Sequence, residues 1–315
     1  MPIATELPID STATALEMAN EIFGSGVVVN SATYFGAAGS SGIFTNADAI
    51  TPGVAPGDTG VILSTGNVAD FTNNSGTLNT NVSASTSTNT AGVDFDPDFG
   101  SLAGGNNTFD AAYLEVDFTP QGDAITVDFV IASEEYPEFI NSVYLDVVGV
   151  WVNGVEATVN IGNGNANVGN INGAATPNLY NDNTADQFNT EMDGFTVTLT
   201  FVAPVNPGVV NTIKVGIADV SDTFYDSNLL IAGGSVQSTI IAQDDSVSLG
   251  NNDTKTVDVL ANDSSTGGTL TVTQINGVNV IAGQSVTLGT GQVITLNADG
   301  TFDVAGDSDA ETIYF

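Results

Sequence analysis

The sequence predicts an all-β protein with a β-sandwich or jelly-roll-like main domain, one N-terminal helix and a smaller second β domain. Three observations support this fold class. Apolar and polar residues alternate over many short segments, as they do in half-buried strands. Turn-forming Gly, Asn and Pro residues separate these segments. Helical spacing of apolar residues occurs only once, near the N-terminus.

That first segment predicts a helix that ends at Gly24. Asp10 or Ser11 can cap its N-terminus, since a side-chain oxygen there accepts a hydrogen bond from a free backbone NH. The apolar side of the helix would consist of Leu16, Met18, Ala19, Ile22 and Phe23.

Seven later segments are predicted strands of the main domain. They are residues 60–68, 111–119, 124–133, 143–154, 194–203, 211–220 and 228–236. In the second of them, Leu114, Val116 and Phe118 would face the core. Glu115 and Asp117 would face solvent, because side chains alternate between the two faces of a strand.

The pattern of the chain changes near residues 238–250, where a new series of short predicted strands begins. We therefore expect a main domain over residues 1–237, a linker over 238–246 and a second domain over 247–315. Two stretches of the main domain, 73–92 and 160–186, are long, polar and rich in Asn and Gly. Such insertions are flexible linkers or functional loops that contact sugars or surfaces.

The charge of the chain excludes several classes of function. It has 37 acidic residues against Lys214 and Lys255, no Arg, His or Cys, and a formal charge of −35. Binding to nucleic acid or to anionic lipid requires clustered Lys and Arg. Catalytic triads with His, His-bound zinc, Arg phosphate clamps and thiol chemistry are also excluded. Oxygen ligands without imidazole favour Ca²⁺; the alternative is that the acidic residues only form a hydrated coat.

Two acidic groups follow predicted strands directly and suggest where calcium would bind. Glu134 and Glu135 come after strand 124–133, and Asp219, Asp222 and Asp226 come at or after the end of strand 211–220. If the two loops meet at one rim of a sandwich, their carboxylates and nearby carbonyl oxygens would supply the roughly six to eight ligands of Ca²⁺. A shared site requires a bend at the glutamate pair, which Pro137 makes plausible. The alternative is that each group only caps a strand end.

The same carboxylates allow a rival interpretation as a glycoside hydrolase, which needs two carboxyl groups and no His. Glu134 or Glu135 would act with Asp219. The aromatic residues that could hold a sugar argue against it, since Tyr144 and Trp151 alternate as core residues. We therefore predict no enzymatic activity.

The main domain resembles the bacterial choice-of-anchor L family over residues of about 1–236. The segments that carry the resemblance are GVAPGDTGVILSTGNV (53–68), FDAAYLEVDFTP (109–120), VIASEEYPEFINSVYLDVVGVWVNG (130–154), MDGFTVTLT (192–200) and IKVGIADVSDTFYDSNLLIAGGS (213–235). The resemblance implies a surface-attached or exported protein and no particular activity.

The second domain is similar to the cadherin-like or Ig-like tandem repeats of bacterial exported proteins. AQDDSVSL, VDVLAND (257–263) and ITLNADGTFDV carry this resemblance. The repeat pattern continues for one more strand than this sequence does. The resemblance therefore implies a partial, Ig-like β-sandwich that lacks its last strand.

Taken together, these features predict a non-enzymatic exported bacterial surface or extracellular-matrix protein, stabilised by Ca²⁺, that acts in adhesion or self-assembly into fibres. The alternative is a secreted glycan-binding protein or glycoside hydrolase. We expect an extracellular or cell-surface location without a recognisable signal peptide, and no membrane insertion, because no apolar run reaches about 18 residues. Besides a glycan or surface ligand, the expected partner is a second copy. Residues 1–10 would complete the open edge of the second domain of the next subunit, head to tail.

Overall fold

The computed structural model describes residues 2–83, 85–159, 161–162, 164–238, 240–241, 243–265 and 270–315. The described chain is nearly all β, which confirms the predicted fold class. No helix in these ranges is long and apolar enough to cross a membrane. Its helices are α1 (Ala15–Ile22), α2 (Ala47–Ile50) and α3 (Pro97–Leu102), with 3₁₀ turns at Val68–Phe71 and Pro177–Leu179.

Two antiparallel sheets form the main body of the molecule. Their strands are β1 (Ile9–Asp10), β2 (Val27–Phe35), β3 (Ser41–Phe44), β4 (Gly60–Ser64), β5 (Thr108–Pro120), β6 (Ala124–Ser133), β7 (Val147–Val152), β8 (Val155–Glu156), β9 (Ala166–Asn167), β10 (Tyr180–Asp182), β11 (Gly194–Thr196), β12 (Leu199–Pro204), β13 (Asn211–Val220) and β14 (Ser227–Ala232). The first sheet has the order β1-β3-β4-β14-β6-β11-β10, with β12 also paired to β6. The second has the order β2-β5-β13-β7-β8, with β9 also paired to β7.

The main core lies between these two sheets, and each sheet is covered on its outer face as well. In β4, Val61 and Leu63 belong to the central core, while Ile62 packs on the outer side with Phe44 and Phe71. The outer face of the second sheet is covered by α3, whose Phe99 packs against side chains of β5, β7 and β13. Burial on both faces explains why β7 is apolar throughout and why β4 and β14 are apolar over residues 60–63 and 229–232.

The N-terminal helix is present, but its predicted cap is wrong. Thr14 caps α1, and the side chain of Glu17 bonds back to the backbone NH of Thr14 in a capping box. Asp10 is not available for this role because it ends β1 and pairs with Ile43 of β3. Leu16, which we assigned to the apolar side, is exposed.

Each of the seven predicted strands of the main domain overlaps a strand of the structure, and the bounds were most accurate for two strands inside the sheets. β6 and β13 have the predicted bounds, and the predicted strand 194–203 is divided into β11 and β12. Strands β2 and β3 were not predicted. β2 lies at the edge of the second sheet and carries polar residues such as Asn30 and Ser31, so its sequence lacks a continuous apolar face.

Ten shorter strands follow in the described part of residues 238–315. They are β15 (Ile240–Ile241), β16 (Ser246–Leu249), β17 (Thr254–Val257), β18 (Ser264–Ser265), β19 (Gln274–Ile275), β20 (Val278–Asn279), β21 (Ser285–Thr287), β22 (Val293–Leu296), β23 (Phe302–Ala305) and β24 (Glu311–Tyr314). β17, β23, β22 and β21 form a four-stranded sheet, and β16 pairs with β24. Their apolar side chains form a separate cluster that includes Leu249, Ile294, Val304 and Ile313.

The segment that we offered as a donor strand lies against its own main body. Ala4 and Leu7 are buried, and the Leu7 NH donates to Thr72 Oγ1 at 2.8 Å. Association through this segment stays a prediction, and it would require these contacts to open.

Candidate functional site

One end of the sandwich gathers a group of acidic side chains because the strands there are neighbours. β6 ends beside the start of β14, with Ser133 opposite Ser227. In the other sheet β13 ends beside the start of β7, with Ala218 opposite Val147. The chain passes from β13 to β14 through residues 221–226, and so crosses from one sheet to the other at this end.

Asp146 joins the two sheets. It lies just before β7, and its Oδ1 accepts a hydrogen bond from the backbone NH of Val220 at 3.0 Å. Its Oδ2 accepts one from the Ser227 hydroxyl, in the other sheet, at 2.6 Å. The Ser227 and Ser133 hydroxyls are 2.7 Å apart. A buried carboxyl group therefore holds the two sheets together at their common end.

Glu135 and Asp219 lie beside Asp146 in the same buried region. Glu135 is 1% exposed and Asp219 is 2% exposed. Burial, and then the charge of Asp146, raises the pKa of each well above its usual range; Asp222, which is half-buried, adds to this effect on Glu135. Burial likewise raises the pKa of Asp146, although its hydrogen bonds from Ser227 and Val220 oppose the rise.

Asp226 extends this cluster beneath the polar stretch 73–92. Its Oδ1 accepts a hydrogen bond from the backbone NH of Thr88 at 2.7 Å. Burial raises the pKa of Asp226 to about 6. The carboxyl group lies directly over Gly66, where a Cβ atom would stand 1.8 Å from Asp226 Oδ2. Only glycine leaves room for the carboxylate here.

Asp110, at the start of β5, completes the cluster on the side of the second sheet. Its Oδ1 accepts a hydrogen bond from the Thr90 hydroxyl at 3.0 Å. Burial raises its pKa. We call Glu135, Asp146, Asp219, Asp226 and Asp110 the carboxylate end.

Glu134 has different neighbours from Glu135. Its side chain is 1% exposed. Burial, and then the charge of Asp193, raises its pKa to about 9, although Thr86 opposes the rise. Asp193 accepts a hydrogen bond from Asn81 Nδ2 at 2.6 Å. The bend at the end of β6 therefore does not bring the two glutamate side chains to one place.

For the stretch 73–92 the sequence allowed two alternatives, a flexible linker or a functional loop. In the structure this stretch forms hydrogen bonds with the acidic residues. Glu191 Oε2 accepts hydrogen bonds from the backbone NH groups of Val82 and Ser83 at 2.8 and 3.1 Å. Together with Thr88 on Asp226 and Thr90 on Asp110, these bonds hold the stretch over the acidic end of the sandwich. Its many Thr, Ser and Asn residues supply the polar groups that buried carboxylates need.

Several buried carboxyl oxygens in this region have no hydrogen-bond partner among the residues that the structure describes. They are both side-chain oxygens of Glu134, Glu135 Oε2, Asp110 Oδ2, Asp219 Oδ1 and Asp226 Oδ2. The two lysines lie elsewhere, beside Asp96 and Asp98 and beside Asp253. Buried carboxylates without a partner are costly, so these groups must either take up protons or bind a cation.

Of the five residues that the sequence proposed, the structure places Glu135, Asp219, Asp222 and Asp226 at one end of the sandwich and turns Glu134 away from them. Sequence reasoning did not identify Asp110, Glu191 and Asp193 as members of the acidic region. These residues precede or begin strands, whereas the acidic groups proposed from the sequence follow strands. Among the described residues, no three acidic side chains stand close enough together to hold one metal ion by themselves. A cation here would also need hydroxyl, amide, carbonyl or water oxygens.

Two residues between β13 and β14 have a left-handed backbone. Ser221 has φ 75° and Tyr225 has φ 64°, in the region that non-glycine residues rarely adopt. Both flank the carboxylate end, and the Ser221 hydroxyl donates to the carbonyl of Val143 at 3.0 Å. Such strain persists only where surrounding contacts impose it, and it occurs frequently at functional sites.

Comparison with known protein families matches residues 8–237 to the choice-of-anchor L domain. No curated protein and no solved structure matches the chain significantly. The match covers most of the chain, including β1–β14 and every residue of the carboxylate end. Residues 238–315 lie outside it, and their resemblance to Ig-like repeats stays a prediction.

Proposed function

The chain belongs to the choice-of-anchor L family, and we propose that it is a non-enzymatic surface protein whose acidic sandwich end is stabilised by calcium, and that it acts in adhesion or assembly. Membership of the family indicates a bacterial protein that is exported or attached to the cell surface. Calcium is abundant outside cells at concentrations that weak extracellular sites require.

The observation that carries this proposal is the set of unpartnered, buried carboxyl oxygens at one end of the sandwich. A divalent cation would neutralise like charges there and also link the ends of the two sheets. One ion would take one or two carboxylates from Glu135, Asp219 and Asp226. The side chain of Thr65 lies beside Asp219 and that of Thr88 beside Asp226. Their hydroxyls are neutral oxygens, and Ca²⁺ accepts such mixed ligands.

The burial of these carboxyl groups weighs against glycoside hydrolysis. A hydrolase must bring a sugar and a water molecule between its two carboxyl groups. Glu134, Glu135 and Asp219 are at most 2% exposed, so none of them faces a cleft. Trp151 is also buried, which removes it as a platform for a sugar ring.

Thermal unfolding with and without calcium tests the proposal. We expect millimolar Ca²⁺ to raise the melting temperature above the value in EGTA and equal ionic strength of NaCl. Saturation at a hundredfold over Kd corresponds to about 2.7 kcal/mol of unfolding free energy. The double variant Glu135→Gln, Asp219→Asn should lose this response.

The matched control removes the same two charges from exposed positions, as in Glu6→Gln, Asp48→Asn. This control should keep the calcium response. Identical melting temperatures in calcium and EGTA for the unaltered protein would refute the calcium proposal. If both double variants lose the calcium response equally, that response comes from general charge screening and not from a specific site.

Assembly into fibres through residues 1–10 is a separate part of the proposal. Sedimentation of the intact protein and of a variant that lacks residues 1–9, each with calcium, measures it. Concentration-dependent growth that the deletion abolishes is the expected result. If both samples contain only monomers, the self-assembly part of the proposal is wrong and the calcium-stabilised surface protein remains.

A further inference from the structure

Lys214, the only lysine of the main body, is buried. This location is unusual in a chain with a formal charge of −35, where an exposed lysine would reduce repulsion between acidic residues. Lys214 lies in the middle of β13 and is 9% exposed. A lysine that served to reduce surface repulsion would lie in solvent, as Lys255 does. Its location indicates a specific local role.

Three aromatic rings enclose the amino group of Lys214. Nζ lies 4.4 Å from the ring centre of Tyr113, 5.0 Å from that of Phe99 and 5.2 Å from that of Trp151. Rings at these distances fix the position of the amine and exclude water from it. We call these residues, together with Asp96 and Asp98, the lysine cage.

Two carboxyl groups touch the same amine. Nζ lies 2.7 Å from Asp96 Oδ1 and 2.8 Å from Asp98 Oδ2. Asp96 is buried, and its Oδ1 also accepts hydrogen bonds from the backbone NH groups of Asp98 and Phe99 at 3.0 and 3.3 Å. Asp98 is half exposed and lines an open groove of about 330 Å³ on the same sheet face.

We propose that Lys214 and Asp96 condense to form an intramolecular isopeptide bond, with Asp98 relaying the protons. Asp98 takes one proton from the ammonium and passes it to Oδ2 of Asp96. The free amine attacks Cγ of Asp96, and the C–N bond forms. A second proton leaves the nitrogen by the same route, the bond between Cγ and Oδ2 breaks, and one water departs. The third proton stays on the amide nitrogen, and Asp98 ends unchanged.

The geometry favours this reaction in three ways. The amine already touches the carboxyl group that it attacks, so no diffusion or ordering is required. The backbone NH groups at Asp96 Oδ1 stabilise the charge that develops on this oxygen, which becomes the amide carbonyl. The product replaces two buried charges with one neutral amide, and so removes the cost of desolvating them.

The bond would tie the second sheet to the chain segment that leads into α3. The two residues are 118 positions apart in the sequence. A covalent link over so long a loop restricts the unfolded chain strongly.

Intact mass measurement of the purified full-length chain tests the proposal directly. We expect the 32.0 kDa protein to be lighter than its sequence by the mass of one water. Peptide mapping should recover one branched peptide that contains both residue 96 and residue 214. Lys214→Arg should restore the full mass, since a guanidinium keeps the charge but is a poor nucleophile. Asp98→Asn should slow or abolish the loss of water.

Lys255→Arg is the matched control and should still lose one water, because Lys255 is exposed and lies 3.8 Å from its nearest carboxylate. A full, unreduced mass of the unaltered protein overturns the proposal. So does a loss of water that persists in Lys214→Arg, which would indicate ring closure at Asp193–Gly194 or Asp299–Gly300 instead. If Lys214→Arg does not fold, the mass and the branched peptide of the unaltered protein still decide the question.

Discussion

The lysine cage and the carboxylate end use buried acidic residues in opposite ways. In the lysine cage, Asp96 and Asp98 lie against an amine that the chain itself supplies. At the carboxylate end, Asp219 and Asp226 each keep one oxygen without a partner in the described part of the chain, and neither lysine is near. The two regions belong to the same sandwich and differ mainly in whether the sequence supplies a positive charge.

The difference shows what a scarcity of cations does to a fold. The cage receives its amine from the chain itself and needs no ion from solution. The charge balance of the carboxylate end depends on protons or dissolved ions, because burial makes its ionised form costly. The stability of that end should therefore follow pH and calcium, whereas the stability of the cage should not depend on calcium.

The largest expected effect is at the cage. Lys214→Met removes both the ion pair and the proposed bond and leaves Asp96 buried without a partner. Removing one partner of a buried pair typically costs about 3–5 kcal/mol. Urea unfolding at neutral pH measures the loss. Lys255→Met, at an exposed ion pair, should cost less than about 1 kcal/mol. Equal losses in the two variants would mean that the cage is no more important than a surface contact.

The next effect is the pH dependence of the calcium-free protein. The pKa of Glu134 is raised from 4.5 in the unfolded chain to about 9 in the folded protein. Its contribution to stability is therefore complete below pH 4.5 and is lost as the pH rises toward 9. Within this window each such group lowers the unfolding free energy by about 1.4 kcal/mol per pH unit.

Denaturant melts in EGTA at several pH values between 5 and 9 measure this slope. Calcium should flatten the part of the slope that comes from Glu135, Asp219 and Asp226, since a bound cation takes the place of their protons, and calcium binding should release protons to the buffer. Stability that rises with pH in EGTA would show that these carboxyl groups are ionised and satisfied without calcium.

The smallest effect separates the two adjacent glutamates. Glu134→Gln and Glu135→Gln each remove one titrating group, so each should reduce the pH slope in EGTA by at most about 1.4 kcal/mol per pH unit. Only Glu135→Gln should also weaken the calcium response, because only Glu135 lies at the carboxylate end. An equal loss of calcium response in both variants would mean that one ion contacts both side chains.

The fold could be predicted from the sequence where local pattern and tertiary environment agree. β6 and β13 are long, apolar and central in their sheets, and their bounds were predicted correctly. β2 was missed because an edge strand buries little. The cap of α1 was misplaced because Asp10 is held in a strand by pairing with β3, which no local pattern reveals.

By itself the sequence determined the all-β fold, the absence of His, Cys and Arg chemistry, and the position of acidic residues at the ends of strands. Only the tertiary structure decided which of these residues meet. Adjacent Glu134 and Glu135 have different neighbours, whereas Asp146 and Ser227, far apart in the chain, bond across two sheets. The physical reason is that strand pairing and sheet packing bring distant segments together. Charges along a sequence therefore do not show which of them will be buried side by side.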